Sequence, residues 1–390
     1  MKIELIPVGG NMKRIREIWE CLEENANTSY FLSWGWIENL ISNLPDYAKP
    51  QLVVFLKGND PCLAFFSGSL TLGTTQQEGK FYGQRHFFKT RAWFLNATGI
   101  PDFDCVQMEY NRFLYKQNEA FRLIDILKSL PDSWDELHLP GLDMRTFPGT
   151  EALENISPYK TIVKDDGIVL SPFVDLDKVR ERGGDYLSLL SANTRSQINR
   201  SCRLYAKNAP VRIEVARDTP SAMDIYQELI DLHEYTWTSR GQKGAFCSYF
   251  PCQFHRQLIQ SRFEHDEIQL LRIRCGNNST MGCLYNFVYK DHVYFYQSGI
   301  NYNRDKRLKP GLVVHAEAIR YNAAAGHKVY DFLGGCSRYK MSMATHYNRL
   351  IWIRLQKPLL KFKIESALKR FKNCLAGRQI TVAGPPQGRG

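Results

Sequence analysis

Apolar positions change period along the chain, and the changes mark elements. Residues 3–8 alternate as a strand, and the run that follows sets Ile15, Ile18, Trp19 and Leu22 three and four apart, the spacing of one helical face. Ser33 heads a second helix that Pro45 closes, and 52–56 and 62–72 read as strands around the turn KGNDP. A strand at 92–95, a helix with Phe121, Ile124, Leu127 and Leu130 on one face, and a short strand in WDELHLPGL complete the first half. Asp102 and Asp104 fall in a loop. The stretch 157–172 mixes turn formers with short apolar runs and reads as an inter-domain boundary.

The second half opens with DYLSLLSANTRSQINRSCRLYAKN, in which Leu187, Leu190, Thr194, Ile198, Cys202 and Tyr205 share a helical stripe. Arg200, Arg203 and Lys207 lie opposite with Arg195 at the flank, either a solvated face or a groove for an anion. Two more helices follow, the first carrying Ile225, Leu229, Leu232 and His233. Strands at 268–274, 281–289 and 293–298, joined by CGNNST and KDH, are close enough to pair antiparallel. KPG then starts a helix with Leu312, Ala316, Ile319 and Ala323 on one face, Gly326 caps it, and strands at 329–333 and 349–355 end the domain. The fold class expected is α/β (α+β): a mixed, mostly antiparallel sheet flanked by helices.

At 390 residues the chain suits two domains. Its 44% hydrophobic and 13% aromatic content excludes disorder as the main state, and 51 Lys and Arg against 40 Asp and Glu suit an anionic partner. No helix-turn-helix or zinc pattern points to DNA. The ten cysteines contain no CxxC pair, and His233-Glu234 falls short of HExxH because Trp237 stands at the second histidine position, so no metal site is expected. Gly73 and Gly79 are one residue too far apart for a phosphate loop, and Phe81 follows where Ser or Thr belongs; the segment reads as a hairpin loop. With neither an apolar leader nor a membrane-length apolar run, a cytoplasmic location with reduced thiols is expected.

Chemistry concentrates between Tyr294 and Lys340. The amides of Gly311, Leu312 and Val313 open a helix beside Arg304, Arg307 and Lys309, a setting that suits a pyrophosphate. Past the Gly334-Gly335 turn stand Tyr339 and Lys340. Cys336 has nucleophile chemistry, but the sequence supplies it no base.

The stretches YLSLLSANTRSQINRSCRLY, LIDLHEYTWTSRGQKGAF and YFYQSGINYNRDKRLKPGLVVHAEAIRYNAAAGHKVYDFLGGCSRYK resemble the BioF2-like, CelD-type acetyltransferase domain of the GNAT superfamily, related to the FemAB aminoacyltransferases. YFLSWGWIENLI and LNATGIPDFDCVQMEYNRFL resemble the degenerate first half of the same proteins. The resemblance implies tandem domains: a degenerate one at 1–165, an acyltransferase at 166–356, and a basic helix and tail at 357–390. It implies acetyl-CoA or a longer acyl-CoA as donor, no metal, and a small-molecule amine of a sugar or amino-acid derivative as acceptor, in surface-polysaccharide or cell-envelope biosynthesis. The acyl-pantetheine would lie between strands 293–298 and 329–333, touching Gln297 and Gly299, with the pyrophosphate on the turn before Leu312. Tyr339 and Lys340 would stabilise thiolate or oxyanion, Glu317 and His233 are the candidate bases, and Trp237, Arg240, Arg195, Arg203 and Asp331 would serve the acceptor. The usual glycine-rich phosphate loop is reduced here to RLKPGL. Two alternatives stay open: Fem-like aminoacyl transfer from charged tRNA, and a non-catalytic scaffold.

Last, KPLLKFKIESALKRFKNCL sets Leu360, Ile364, Ala367, Leu368, Phe371 and Leu375 in one stripe, with Lys357, Lys361, Lys363, Lys369, Arg370 and Lys372 facing away. Such a helix either docks on the domain or lies on an anionic membrane surface through 357–375.

Overall fold

A computed structural model describes residues 2–73, 86–106, 108–145, 156–207, 210–276, 279–302, 305 and 307–375. The glycine-containing hairpin loop expected after residue 73, and Arg304, lie outside the described residues. The first half runs β1 (Lys2–Pro7), α1 (Met12–Glu24), α2 (Trp34–Asn43), β2 (Gln51–Lys57), β3 (Asp60–Leu72), β4 (Thr90–Leu95), α3 (Pro101–Asp104), β5 (Leu114–Tyr115), α4 (Leu123–Ser129) and β6 (Glu136–Asp143). The second runs β7 (Lys160–Asp175), α5 (Leu176–Glu181), α6 (Ala192–Tyr205), β8 (Arg212–Val215), α7 (Thr219–Thr238), α8 (Tyr249–Arg262), β9 (Ile268–Cys275), β10 (Ser279–Tyr289), β11 (His292–Ile300), α9 (Pro310–Ala324), β12 (Val329–Asp331), α10 (Arg338–Met343) and β13 (His346–Gln356). α11 (Leu360–Leu375) follows.

All described strands belong to one mixed, mostly antiparallel sheet, in the order β1-β2-β3-β4-β6-β13-β7-β12-β11-β10-β9-β8, with β5 on β3. The order is a duplication. Each half builds a four-stranded antiparallel run, β1 to β4 or β8 to β11, and then makes a single parallel step, to β6 or β12. The long strands β7 and β13 pair with each other and join the halves. The stretch read as a boundary is thus the strand β7, placed mid-sheet.

Alternation along the strands divides the core. Leu52, Val54, Tyr285, Phe287 and Tyr294 point to one face, under α1, α2, α7 and α8, where Tyr30 stacks on Phe287 at 4.7 Å and Trp36 meets Phe254 edge-on at 4.8 Å. Residues of both halves share this core. Val293, Phe295, Tyr330 and Phe332 point to the other face, against α9 and the α5–α6 region, while Val53, Phe55 and Leu137 meet α4.

Local signals explain several boundaries. The Ser33 side chain caps α2 by accepting from the Trp36 amide. The helix expected across 185–208 is interrupted at Ser191, whose hydroxyl accepts from the Thr194 amide and begins α6 there. α4 is also shorter than expected and buries Leu123, Ile126 and Leu127, because Phe121 precedes its first turn.

Candidate functional site

β11 and β12 stay together for three residue pairs only, His292 with Val329, Val293 with Tyr330 and Tyr294 with Asp331. Beyond them the strands part. A bulge assists the divergence: Tyr285 pairs with Gln297 and Asn286 with Phe295, so Tyr296 is an extra residue in β11. Past the bulge the Ser298 amide is held by its neighbour's side chain, Gln297 Oε1 at 3.0 Å.

A cavity of about 620 Å³ opens at this wedge. Gln297, Ser298 and Ile300 of β11 line it, as do Thr236, Trp237 and Arg240 at the end of α7, Pro310, Gly311 and Leu312 at the start of α9, and Ser337 and Tyr339. Pro310 has no N–H, and the Val313 amide already reaches Lys309 O at 3.2 Å. The Gly311 and Leu312 amides are thus the first-turn donors left at the positive end of α9. Gly311 is open on its Cα side, with Tyr302 Oη 4.0 Å from where a Cβ would sit. The Arg240 guanidinium lies over the rings of Trp237 and Tyr302, at 5.9 and 5.6 Å.

Other candidates have different surroundings. Val313 is fully buried, and Gly299 packs against α7, where a Cβ would come within 2.3 Å of Leu229 O. Arg307 is an exposed partner of Asp305, and Glu317 pairs with Arg320 at 2.7 Å on α9. Arg195 and Arg203 lie on α6 outside the cavity lining, the latter bonding its own helix at Asn199 O. His233 lines the cavity, yet Ala245 N–H donates to its Nε2, so its Nδ1 carries the proton that bonds Ser298 O. Protonating Nε2 would break one of those contacts, and burial already pushes the ring's pKa down. Tyr339 stacks on buried His315 at 5.5 Å, and burial pushes its hydroxyl pKa far up, so it remains a donor. Lys340 Nζ clamps Leu333 O and Gly334 O at 3.2 and 2.9 Å, with its pKa lowered by burial. Asp331 is fully buried and ties the halves together: it accepts from Tyr110 Oη, from Ser171 Oγ at 2.9 Å and from the Leu333 amide at 2.7 Å.

The residue that sequence reasoning missed comes from the first half. Glu109 is 6% exposed and accepts from the Gly334 amide at 2.6 Å, just past β12. Burial raises its pKa to about 7; the Gly334 bond and nearby Lys340 offset only part of that rise. Nothing local to residue 109 announces a contact 225 positions away. The next residue in the chain, Tyr110, joins Arg112, Arg145, Lys290, His292 and Asn348 in lining a second, polar cavity of about 430 Å³ where the halves meet.

Among the described residues, no three His, Cys, Asp or Glu side chains group to hold a metal, and no helix is long and apolar enough to cross a membrane. Comparison with known proteins bears on the domain with the larger cavity. Residues 192–341 match the model of the acetyltransferase (GNAT) domain. A search of curated proteins found no match. Among solved structures, FemX is similar at a TM-score of 0.57 and 10% identity, covering 95% of this chain and 100% of that one. A conserved protein of unknown function from Bacteroides thetaiotaomicron aligns at 0.52 and 9%, covering 91% and 100%. L-PGS from Bacillus licheniformis aligns at 0.50 and 8%, covering 93% and 97%. At such identities these structures establish a shared fold and nothing finer. The segment 192–341, which matches the GNAT acetyltransferase domain, supplies every residue named above as lining the wedge cavity.

Proposed function

We propose that the protein is an N-acyltransferase that moves an acyl group from a coenzyme A thioester to an amine of a sugar or amino-acid derivative, in surface-polysaccharide or cell-envelope biosynthesis. The observation that carries this reading is the open strand wedge, with a helix N-terminus at its cavity, in the segment that matches the GNAT domain. A buried, near-neutral carboxylate, Glu109, accepts from the Gly334 amide just past β12. The residues fit such a donor. The Gly311 and Leu312 amides, with Lys309, take the pyrophosphate, and the unpaired edge of β11 takes the pantetheine amides. The Ser298 N–H, once Gln297 releases it, polarises the thioester carbonyl. The acceptor amine must reach the same carbonyl, so it enters the wedge cavity itself, past Trp237 and Arg240. Glu109 takes the proton that the amine loses as the N–C bond forms. The C–S bond breaks with its electron pair on sulfur, and the Tyr339 hydroxyl donates a hydrogen bond to that thiolate.

Calorimetric titration with acetyl-CoA and longer acyl-CoAs tests the reading. Saturable binding is expected, weakened about a hundredfold by Gly311→Asp, which sets a carboxylate at the pyrophosphate position in open space. Failure to bind any thioester, with retention of charged tRNA at physiological salt, would replace this reading by aminoacyl transfer.

A further inference from the structure

α11 is mounted by the side opposite its main apolar stripe. Phe362 and Glu365 are buried; Lys361 Nζ reaches Asp135 Oδ2 and Lys89 O, each at 2.8 Å, and Glu365 meets His86 at 3.5 Å and Lys369 at 2.5 Å. The apolar stripe that would ordinarily dock is left outside. Leu360, Ile364, Leu368 and Phe371 are 69%, 42%, 45% and 67% exposed, and helical geometry gathers them within an arc of about 80°. Lys363 and Arg370 border this ridge on one side, and neither has an ion pair among the described residues. The 86–89 segment, which holds α11 through His86 and Lys89, also exposes Phe87 and Phe88, at 45% and 37%.

We infer that the outer face of α11 is a docking surface for an anionic lipid bilayer, lying in the interface plane with its ridge among the acyl chains and Lys363 and Arg370 at the headgroups. An apolar ridge beside cations, on a helix that does not span, is the composition such binding requires. Charge selects the occupant. A second copy packed face to face would bring each ridge's cations toward those of its partner, whereas an anionic leaflet neutralises them, and the chain's net charge of +11 favours the approach.

The test is flotation of the full chain with vesicles of phosphatidylcholine containing about one-third phosphatidylglycerol. Binding is expected there, reduced about tenfold or more on pure phosphatidylcholine and weakened by salt. Ile364→Glu with Phe371→Glu should abolish flotation, and Lys363→Glu with Arg370→Glu should remove the preference for the anionic vesicles. Both pairs should leave the melting temperature unchanged, because all four side chains face out. The inference is overturned if the protein does not float, if either doubly substituted form floats like the wild type, or if sedimentation shows a dimer that Ile364→Glu with Phe371→Glu disperses.

Discussion

The two halves make the same parallel step and do opposite things with the wedge beyond it. In the first, β4 and β6 pair at Ala92 with Glu136, Trp93 with Leu137 and Phe94 with His138, then separate. Asn111 fills the gap. Its side-chain amide donates to Leu95 O at 3.0 Å and Pro140 O at 2.9 Å, its backbone N–H to Gly141 O at 2.9 Å, and its Oδ1 accepts from Asn96 at 2.8 Å. A cavity of only about 30 Å³ remains there, against about 620 Å³ at the β11–β12 wedge. Parted strands expose backbone groups that need partners. The first wedge is satisfied by its own chain, while the second leaves room for a ligand that can hydrogen-bond to both strands.

If the second wedge is the working one, what the first half contributes to chemistry is Glu109. Glu109→Gln keeps the size and an acceptor for the Gly334 amide but cannot take a proton. Turnover should fall about a thousandfold. The limb of the pH–rate profile that rises near pH 7 in the wild type should vanish, with the KM for the thioester little changed. A variant whose profile keeps that limb would assign the proton to another group and reduce the first half to scaffolding.

Asn111→Ala removes the filler and tests whether the wedges are alike beneath it. It strands buried carbonyls at Leu95 and Pro140 and the Asn96 amide, so stability should fall by about 4 kcal/mol in a denaturant titration. Thioester stoichiometry should remain one per chain, because the helix at this wedge, α3, is a single turn whose Asp104 already takes the Thr98 and Gly99 amides, each at 2.8 Å. A second equivalent would show that the filler alone separates the halves.

Most of the architecture is legible in periodicity. The meander β9 to β11, the α9 crossover and the alternating strands of the first half all announce themselves, because each buries a face whose period survives in the sequence. The KPG start of α9 likewise points to the cavity. What periodicity does not carry is long-range placement. β7 looks like a boundary because its Asp-Asp-Gly and Ser-Pro interrupt an apolar run, and only the partner β13 shows why it lies mid-sheet. Glu317 and Glu109 are equally plain acids in sequence; one meets Arg320 on its own helix, the other a glycine amide across the molecule. The outward ridge of α11 was open for the same reason: a helix pattern shows that two faces differ and leaves unstated which one docks.

The same burial that suits Glu109 to proton transfer should appear as a cost in folding, and its sign is fixed. Its pKa lies near 4.5 in the unfolded chain and is raised to about 7 in the fold, so the folded protein holds the extra proton across that interval. Stability from this group is complete below pH 4.5 and declines as pH rises toward 7. By neutral pH the loss is about 3 kcal/mol. Glu109→Gln has no charge to bury, so denaturant titrations should find its advantage over the wild type growing between pH 4.5 and 7 and level above. The first wedge offers a control within the same chain: Asn111 does not titrate, and the deficit of Asn111→Ala should stay constant over the same range. Parallel stability curves for Glu109→Gln and the wild type would mean that water reaches the carboxylate freely, and the contrast between a sealed first wedge and a chemically poised second one would then rest on the cavity alone.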